Sequence, residues 1–162
     1  MSIIKEDILR LLDSQGIHYE LAEHAPVYTI EEIDALKLSH ADCIAKNLFI
    51  RDDKKRQYFL LATQKSKRTD LKQLQARIGT RRLSFASEAD LGSILGLAKG
   101  EVTPLGVLND RERRVTVLLD TVFQDGLIGI HPNTNTATIW LKANDLFRLI
   151  EQHENAARWI EI

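Results

Sequence analysis

The 162-residue sequence predicts a mixed α/β domain in which β-hairpins alternate with short helices. Two pairs of apolar runs that are separated by turn residues predict the hairpins, one over residues 43–63 and one over 127–141. Apolar residues at helical spacing, around Ile8 and Leu149, predict helices near both ends of the chain. Because hairpins stand between the helices, the order argues against a doubly wound parallel sheet.

The first third of the chain is predicted to hold two helices and two strands. A helix over residues 3–15 is ended by Gly16, and a short strand over 17–21 follows. Thr29 and Glu32 have the spacing of a capping box, which predicts a second helix that runs to about Lys37. Residues 43–51 then read as a buried strand because apolar residues alternate along it.

The middle of the chain completes the first hairpin and adds two helices. Asp52 and its neighbours form the turn, and residues 57–63 return as the second strand. Thr69 is predicted to cap a helix that Gly79 ends, and Ser87 to begin a short helix that ends near Gly96. Two glycines and one proline within residues 100–106 predict an irregular, shaped loop there.

The last third alternates strands with one helix. Strands are predicted over 115–119, 127–130 and 137–141, and the last two form a hairpin. A helix follows from residue 143 or 144, and the alternating tail from Ala157 predicts an edge strand. The sequence contains no internal repeat and no low-complexity linker, so we expect residues 1–162 to form a single domain.

Composition excludes several classes of protein. Apolar residues make up 44% and charged residues 28%, the balance of an ordinary soluble protein. The single cysteine, Cys43, excludes a disulfide framework and a multi-cysteine zinc site. Acidic residues near the N-terminus do not fit a signal peptide, and no apolar run approaches the ~20 residues of a membrane span. We therefore expect a cytoplasmic protein with no membrane partner.

The charge is unevenly distributed, although the net charge is only −1. Residues 51–82 hold eleven of the 22 basic residues and three acidic ones, so this segment carries +8 and the rest of the chain −9. Such asymmetry indicates a face that attracts phosphates, and a solvated surface rich in lysine is the alternative. If the segment is an RNA face, we expect Lys65, Lys67 and Arg68 to contact phosphates.

Lys46 stands inside the first predicted hairpin strand. Alternation puts it on one face with Ile44, Leu48 and Ile50, so its ammonium group loses part of its hydration. One interpretation is a lysine whose chain extends to the strand end or that pairs with a carboxylate. The other is a cation placed to meet the negative charge of a ligand. Periodicity alone leaves both open.

Common catalytic and metal-binding patterns are absent from the sequence. The five histidines are scattered, and there is no His-Glu-x-x-His pair, no Gly-x-Ser-x-Gly elbow and no phosphate loop. We therefore expect no metal and no cofactor. The remaining candidates are Lys46, the loop of residues 100–106 and the segment of residues 131–138.

These three candidates carry a resemblance to a known family. Ala45-Lys46-Asn47-Leu48-Phe49 resembles the lysine strand of the YbaK/ProX family, which contains freestanding aminoacyl-tRNA deacylases related to the editing domain of bacterial prolyl-tRNA synthetases. Residues 100–106 resemble the Gly-x-x-x-Pro loop of that family. Residues 131–138 resemble the His-Pro-x-x-Asn-x-x-Thr signature of its ProX or PrdX-like subgroup, which is typified by alanyl-tRNA(Pro) deacylases. The family loop often has phenylalanine where this chain has Leu105.

The resemblance implies a curved, mostly antiparallel mixed sheet surrounded by helices, and a trans-editing hydrolase for Ala-tRNA(Pro). It implies tRNA, through its 3′ acceptor end, as partner, and leaves open whether a prolyl-tRNA synthetase also takes part. It implies catalytic roles for Lys46, Gly100, Thr103 and His131, and substrate contacts for Val102, Pro104, Gly106, Asn135 and Thr138. His131 can equally be a strand-end histidine packed beside Pro132. Alternatives for the whole chain are a non-catalytic binding module and a deacylase for another small amino acid, such as serine.

Overall fold

Eight strands and five helices make up the computed structural model, which describes residues 2–162. The strands are β1 (Tyr19–Glu23), β2 (Ala45–Asp52), β3 (Tyr58–Gln64), β4 (Leu83–Phe85), β5 (Val115–Asp120), β6 (Leu127–Ile130), β7 (Ala137–Lys142) and β8 (Ala157–Ile160). The helices are α1 (Lys5–Ser14), α2 (Ile30–Ala35), α3 (Leu71–Ile78), α4 (Glu88–Asp90) and α5 (Ala143–Gln152). A π-helical turn, Leu91–Leu95, continues α4, and short 3₁₀ helices span Ala41–Cys43, Pro104–Asn109 and Thr121–Phe123.

The strands are divided between two sheets. One has the order β4-β2-β3-β5-β8, in which β2 is antiparallel to both neighbours and β5 is parallel to β3 and β8. The other has the order β1-β7-β6 and is antiparallel throughout. A parallel bridge between Ile44 and Gly129 joins the two sheets. The predicted mixed α/β fold is confirmed, with helices around both sheets.

The two predicted hairpins are present. Strands β2 and β3 pair in a register that sets Lys46 opposite Thr63, and β6 pairs with β7. The tail strand β8 lies at the edge of the five-stranded sheet, as the alternating sequence predicts, and runs parallel to β5.

Alternation along β2 separates two apolar clusters. Ala45 and Phe49 belong to the main core, which also takes in α1 and α5. Ile50 belongs to a second cluster on the opposite face with Leu74 of α3, and Leu48 packs against it. Lys46 shares this second face, so its side chain emerges beside the segment that leads into α3.

Three local predictions need correction. The N-cap of α3 is Asp70, not Thr69, because the Asp70 carboxylate accepts hydrogen bonds from the N–H groups of Lys72 and Gln73. The loop after residue 103 is not irregular: a 3₁₀ helix begins at Pro104, whose fixed φ suits a first helical position. Strand β1 begins at Tyr19 rather than at residue 17, because its pairing with β7 starts there.

The predicted capping box of α2 is half formed. The Thr29 side chain accepts a hydrogen bond from the N–H of Glu32 at 3.1 Å. The Glu32 carboxylate, however, accepts from the N–H of Tyr28 at 3.4 Å. This contact helps to fix the segment that precedes α2, which forms one wall of the site described below.

Candidate active site

A pocket of about 230 Å³ opens where the start of β2 meets the entry to α2 and the loop of residues 100–102. Five of the residues predicted from the sequence line it: Lys46, Gly100, Val102, His131 and Thr138. The aliphatic side chains of Val27, Ile33 and Ile130 also line the pocket. The three segments singled out in the sequence therefore meet at one cavity.

Lys46 lies half-buried at the edge of this pocket. Its ammonium group donates a hydrogen bond to the main-chain carbonyl oxygen of Lys67, and it forms no ion pair within residues 2–162. A neutral carbonyl leaves the positive charge uncompensated. The ammonium group can therefore attract a negative charge that a ligand brings into the pocket.

The basic residues expected to contact phosphates have different surroundings. Lys65 pairs with the half-exposed Asp34, and Lys67 lies 2.9 Å from a carboxylate oxygen of the fully buried Asp120. Arg68 is exposed and lines a second, open groove beside Lys46. Contact of these three residues with phosphates stays a prediction.

The carboxylate of Asp120 accepts hydrogen bonds from several groups, one of which is the ammonium group of Lys67. Burial by itself would raise the pKa of this carboxyl group. Hydrogen bonds from the Thr63 hydroxyl, from Lys67 and from two backbone N–H groups outweigh burial, so the pKa of Asp120 lies below its ordinary value. The segment that presents a carbonyl oxygen to Lys46 is thus anchored to the end of β5.

Gly100 approaches the ring of Tyr28 closely. Its φ is +87°, and a Cβ atom there would lie 2.7 Å from Tyr28 Cδ1, so both the backbone conformation and the space favour glycine. The N–H groups of Gly100 and Val102 form no hydrogen bond within the part of the chain that the structure describes, whereas Glu101 N–H donates to Ala98. Two unpaired N–H groups at a pocket can donate hydrogen bonds to an oxygen atom on which negative charge develops.

Thr103, Pro104 and Gly106 form the buried second half of the predicted loop and do not line the pocket. Thr103 is fully buried, and its hydroxyl oxygen accepts from the N–H of Leu105 at 3.4 Å. A Cβ atom at Gly106 would lie 2.7 Å from Leu97 Cδ1, so this glycine permits close packing. The arrangement gives these residues the role of shaping the loop. Thr103 does not line the pocket, and its catalytic role stays a prediction.

His131 lines the pocket, and one of its two ring nitrogens is engaged by the backbone. Its Nδ1 donates to the carbonyl oxygen of Ala137 at 3.0 Å, so the neutral ring carries its lone pair on Nε2. Burial lowers the pKa of His131, and the ring of His24, 6.4 Å away between centroids, lowers it further. A neutral ring with a free Nε2 can orient water or accept a proton.

Asn135 and Thr138 hold the wall that faces β2. The Asn135 amide donates to the carbonyl oxygen of Val27 at 3.0 Å, so Asn135 fixes the approach to α2 without lining the pocket. Thr138 lies 2.9 Å from Nε2 of His24, whose Nδ1 donates to Ala25. Thr138 does line the pocket.

Among the lining residues that were not predicted as site residues, Tyr28 and Asn47 have features that suit a ligand. Tyr28 is 61% exposed and covers Gly100; its segment, Pro26-Val27-Tyr28-Thr29, resembles the family as the entry to α2, and Tyr28 was not predicted as a site residue. Asn47 lines the pocket, and its Oδ1 is buried without a hydrogen-bond partner in residues 2–162. An unpaired buried amide oxygen is costly, and a donor group on a ligand would relieve that cost. The signal in the sequence was its place next to Lys46.

The described residues offer neither a metal-binding cluster nor an activated cysteine. Among residues 2–162, no three His, Cys, Asp or Glu side chains gather as a metal site would require. Burial, together with the charge of Asp42, raises the pKa of the Cys43 thiol, which opposes a role as nucleophile. No helix in the same range combines the length and the apolar character that crossing a bilayer requires.

Comparison with known proteins identifies the family. Residues 24–149 match the family described as Aminoacyl-tRNA editing domain. The chain is 43% identical over 159 residues to the Prolyl-tRNA editing protein ProX of Acetoanaerobium sticklandii, a match that covers 98% of this chain and 97% of that protein. It is 33% identical over 155 residues to the Prolyl-tRNA synthetase associated domain-containing protein 1 of Danio rerio, with coverage of 94% and 84%.

A solved structure shares the fold. The crystal structure of a candidate trans-editing enzyme for prolyl tRNA synthetase matches with a TM-score of 0.72 and covers 100% of this chain and 99% of that one. At 18% identity, this likeness concerns the fold alone. The resemblance found in the sequence is confirmed by the family match and by the relatives, and the chain belongs to the YbaK/ProX family of aminoacyl-tRNA editing domains.

Proposed function

We propose that the protein is a trans-acting editing enzyme that hydrolyses the aminoacyl ester of Ala-tRNA(Pro). Membership of the aminoacyl-tRNA editing family supports hydrolysis of a mischarged tRNA. The name of the relative from Acetoanaerobium sticklandii, Prolyl-tRNA editing protein ProX, supports a tRNA charged by prolyl-tRNA synthetase. The assignment of alanine as the amino acid removed follows from the resemblance to the ProX or PrdX-like subgroup, and the small volume of the pocket supports it.

The observation that carries the proposal is the convergence of three complementary groups on one small pocket. The N–H groups of Gly100 and Val102 are unpaired, Lys46 brings an uncompensated positive charge, and His131 brings a neutral ring nitrogen. Ester hydrolysis needs each of these properties. It develops negative charge on the carbonyl oxygen and must direct a water molecule to the carbonyl carbon.

The reaction follows from this arrangement. Water adds to the ester carbonyl, and the carbonyl oxygen becomes an oxyanion that the Gly100 and Val102 N–H groups stabilise, an effect worth about 2.7–4 kcal/mol per donor in other enzymes. The bond to the ribose oxygen then breaks, and this oxygen takes up a proton. His131 or the neighbouring ribose hydroxyl orients the water. The products are the free amino acid and a tRNA with both terminal ribose hydroxyls restored.

The size of the pocket suits a small amino acid. Its volume of about 230 Å³ is below the ~300–1,000 Å³ typical of small-molecule sites. A synthetase that binds proline also admits alanine, because hydrophobic pockets discriminate by only about 1–3 kcal/mol per methylene. A second, smaller site that admits alanine and excludes the proline ring restores fidelity. We place this reaction in the cytoplasm, where a trans-editing factor meets charged tRNA.

A panel of charged tRNAs tests the proposal. Purified protein is incubated with Ala-tRNA(Pro), Ser-tRNA(Pro), Pro-tRNA(Pro) and Ala-tRNA(Ala), and the loss of the labelled amino acid is followed against buffer alone. We expect rapid deacylation of Ala-tRNA(Pro) and little loss from Pro-tRNA(Pro). Faster release of serine would change the amino acid removed. Release from none of the four would contradict the enzyme and leave a tRNA-binding or synthetase-binding module.

A further inference from the structure

Lys46 lines a second cavity in addition to the pocket described above. This cavity, called here the outer groove, has a volume of about 610 Å³. It is lined by one lysine, one arginine, one aromatic ring, an aliphatic residue and two polar residues: Lys46, Arg68, Phe85, Leu48, Thr69 and Asp70. A ligand whose reacting end reaches the pocket past Lys46 would therefore have its adjoining part in the outer groove.

The outer groove lies where the edge of β2 is uncovered. Strand β4 pairs with β2 only at Ile50, Arg51 and Asp52, and one further hydrogen bond joins Ala86 to Phe49. Within the described chain, the part of β2 around Lys46 and Leu48 has no strand on that side. The edge of β2 between the end of β4 and the bridge from Ile44 to Gly129 is thus open to a ligand.

Phe85 exposes an aromatic ring at this groove. It is 60% exposed, although its neighbour in the pairing with β2, Ile50, is fully buried. The two large aromatic residues that are this exposed, Phe85 and Tyr28, line the two cavities that share Lys46. A ring held on a strand and open to solvent is a platform on which an unpaired base can stack.

The polar residues of the groove suit a nucleotide as well. Arg68 is exposed and forms no ion pair within residues 2–162, so its charge is available to a phosphate. The Thr69 hydroxyl oxygen is buried and has no hydrogen-bond partner in the same range. Asp70 opposes a phosphate by its charge, but its Oδ1 is engaged by the first turn of α3.

We propose that the outer groove binds the unpaired 3′-terminal nucleotides of tRNA, with a base stacked on Phe85 and a phosphate held by Arg68. The proposal rests on the proposed function, because it treats the ester in the pocket and the nucleotides in the groove as one ligand. Lys46 lies at the boundary between the two cavities and thus near the ester that joins amino acid to ribose.

The test compares binding of uncharged tRNA that has its CCA end with binding of the same tRNA trimmed of its last three nucleotides, both carrying a 5′ fluorophore. Wild-type protein is expected to bind the intact tRNA more tightly. Phe85→Ala should weaken binding of intact tRNA about five- to 150-fold and leave binding of trimmed tRNA unchanged. Phe85→Tyr should restore the preference, because it keeps the ring.

Salt and a matched surface variant separate stacking from charge and from folding. Phe85→Ala should keep the wild-type slope of affinity against salt, whereas Arg68→Ala should reduce it by about 0.7, the value for one phosphate contact on a single strand. Ile4→Ala, which truncates another exposed apolar residue, should change neither quantity. Equal affinity of the wild type for both tRNAs, or an unchanged preference in Phe85→Ala, would overturn the proposal.

The two proposals can fail independently. A wild-type protein that prefers intact tRNA through Phe85 but deacylates nothing would contradict the enzyme and keep the groove. If the wild type and the Phe85→Ala variant deacylate Ala-tRNA(Pro) at the same rate, and each binds both tRNAs equally, the groove is contradicted and the enzyme is kept.

Discussion

The ammonium group of Lys46 donates its hydrogen bond to the main-chain carbonyl oxygen of Lys67. The two lysines are thereby linked in series, because the side chain of Lys67 is itself paired with the buried Asp120. One cation is neutralised within the protein, and the other is left to face the pocket. This division of roles could not be predicted from the sequence, in which both lysines look like members of one basic segment.

The ion pair of Lys67 with Asp120 is expected to be structural. Lys67→Ala should lower the free energy of unfolding at pH 7 by about 1–3 kcal/mol, because it removes a charged hydrogen bond from a fully buried carboxylate. Lys65→Ala is the matched control, since its partner Asp34 is half-exposed, and should cost about 0–1 kcal/mol. Chemical denaturation of both variants measures the difference, and equal losses would contradict it.

The stability difference between wild type and Lys67→Ala should depend on pH in a definite direction. The pKa of Asp120 in the folded protein is below its ordinary value of 3.8, so its interactions stabilise the fold above that pH and lose this effect as the pH falls through the folded pKa. The difference between wild type and Lys67→Ala should therefore shrink in acid. A difference that stayed constant from pH 7 to about pH 3 would assign it to lost packing.

Gly100 is expected to tolerate no side chain, for two separable reasons. Gly100→Ala should slow deacylation at least tenfold, or ~1.4 kcal/mol, because the new Cβ atom strains a backbone with φ of +87° and displaces Tyr28. The double variant with Tyr28→Ala should recover the steric part of this loss and keep the part due to strain. Gly126→Ala, whose Cβ atom would make ordinary contacts, is the control. Full activity in Gly100→Ala would place the oxyanion site elsewhere.

His131 should set the acid limb of the pH–rate profile. Its pKa is below the ordinary value of 6.5, so the ring is neutral at pH 7 and deacylation should fall only as the pH drops below 6.5. The groups that face it are Ala137, His24 and Glu101. Burial and the charge of His24 lower the pKa of His131, whereas the hydrogen bond to Ala137 and the charge of Glu101 raise it. His131→Asn should remove this limb, and His18→Asn should keep it. Identical profiles in wild type and His131→Asn would leave His131 as a packing residue.

The stability of the protein provides an independent check on the same histidine. A lowered folded pKa means that the unfolded chain binds the proton more readily, so stability is lost as the pH falls from 6.5 through the folded pKa. His131→Asn should flatten this part of the stability curve. Melting temperatures across pH 5–8 measure it without any tRNA.

Local patterns predicted most of the fold. Hairpins, the edge strand and the ends of helices at Gly16, Gly79 and Gly96 follow from alternation, helical spacing and glycine in the left-handed conformation. Thr69 was wrong as a cap because two adjacent residues, Thr69 and Asp70, could both serve, and only the position of α3 decides between them. The division of the strands into two sheets depends on the contact of Ile44 with Gly129, 85 positions apart in the sequence.

The candidate site was predicted only in part, because some of its residues belong to local motifs and others come together only through the fold. Lys46, Gly100 and His131 belong to motifs that can be read locally, and the structure brings them to one pocket. Phe85 belongs to no motif, and Tyr28 lies in a segment that resembles the family only as the entry to α2. Their significance for the site comes from exposure beside cavities that share Lys46. Thr103 belongs to a motif but is buried away from the pocket, where its hydroxyl oxygen accepts a hydrogen bond from the N–H of Leu105.

The proposed reaction depends most on Lys46, and the hydrogen bond of its ammonium group determines what its removal should cost. Lys46→Ala leaves a carbonyl oxygen without its donor, not a buried carboxylate without its cation, so the cost of a broken buried ion pair, about 3–5 kcal/mol, does not apply. The folded protein should therefore melt near the wild-type temperature. Lys5→Ala, which breaks a surface ion pair with Glu23, is the control for the loss of a lysine elsewhere.

The most direct measurement is single-turnover deacylation of Ala-tRNA(Pro) by wild type, Lys46→Ala and Lys5→Ala, with thermal melting of the same samples. We expect Lys46→Ala to be at least tenfold slower, a loss of ~1.4 kcal/mol of transition-state stabilisation, and to melt close to the wild type. Lys5→Ala should react at the wild-type rate. A Lys46→Ala protein that melts several degrees lower yet deacylates at the wild-type rate would contradict a catalytic role for Lys46 and make it a structural lysine.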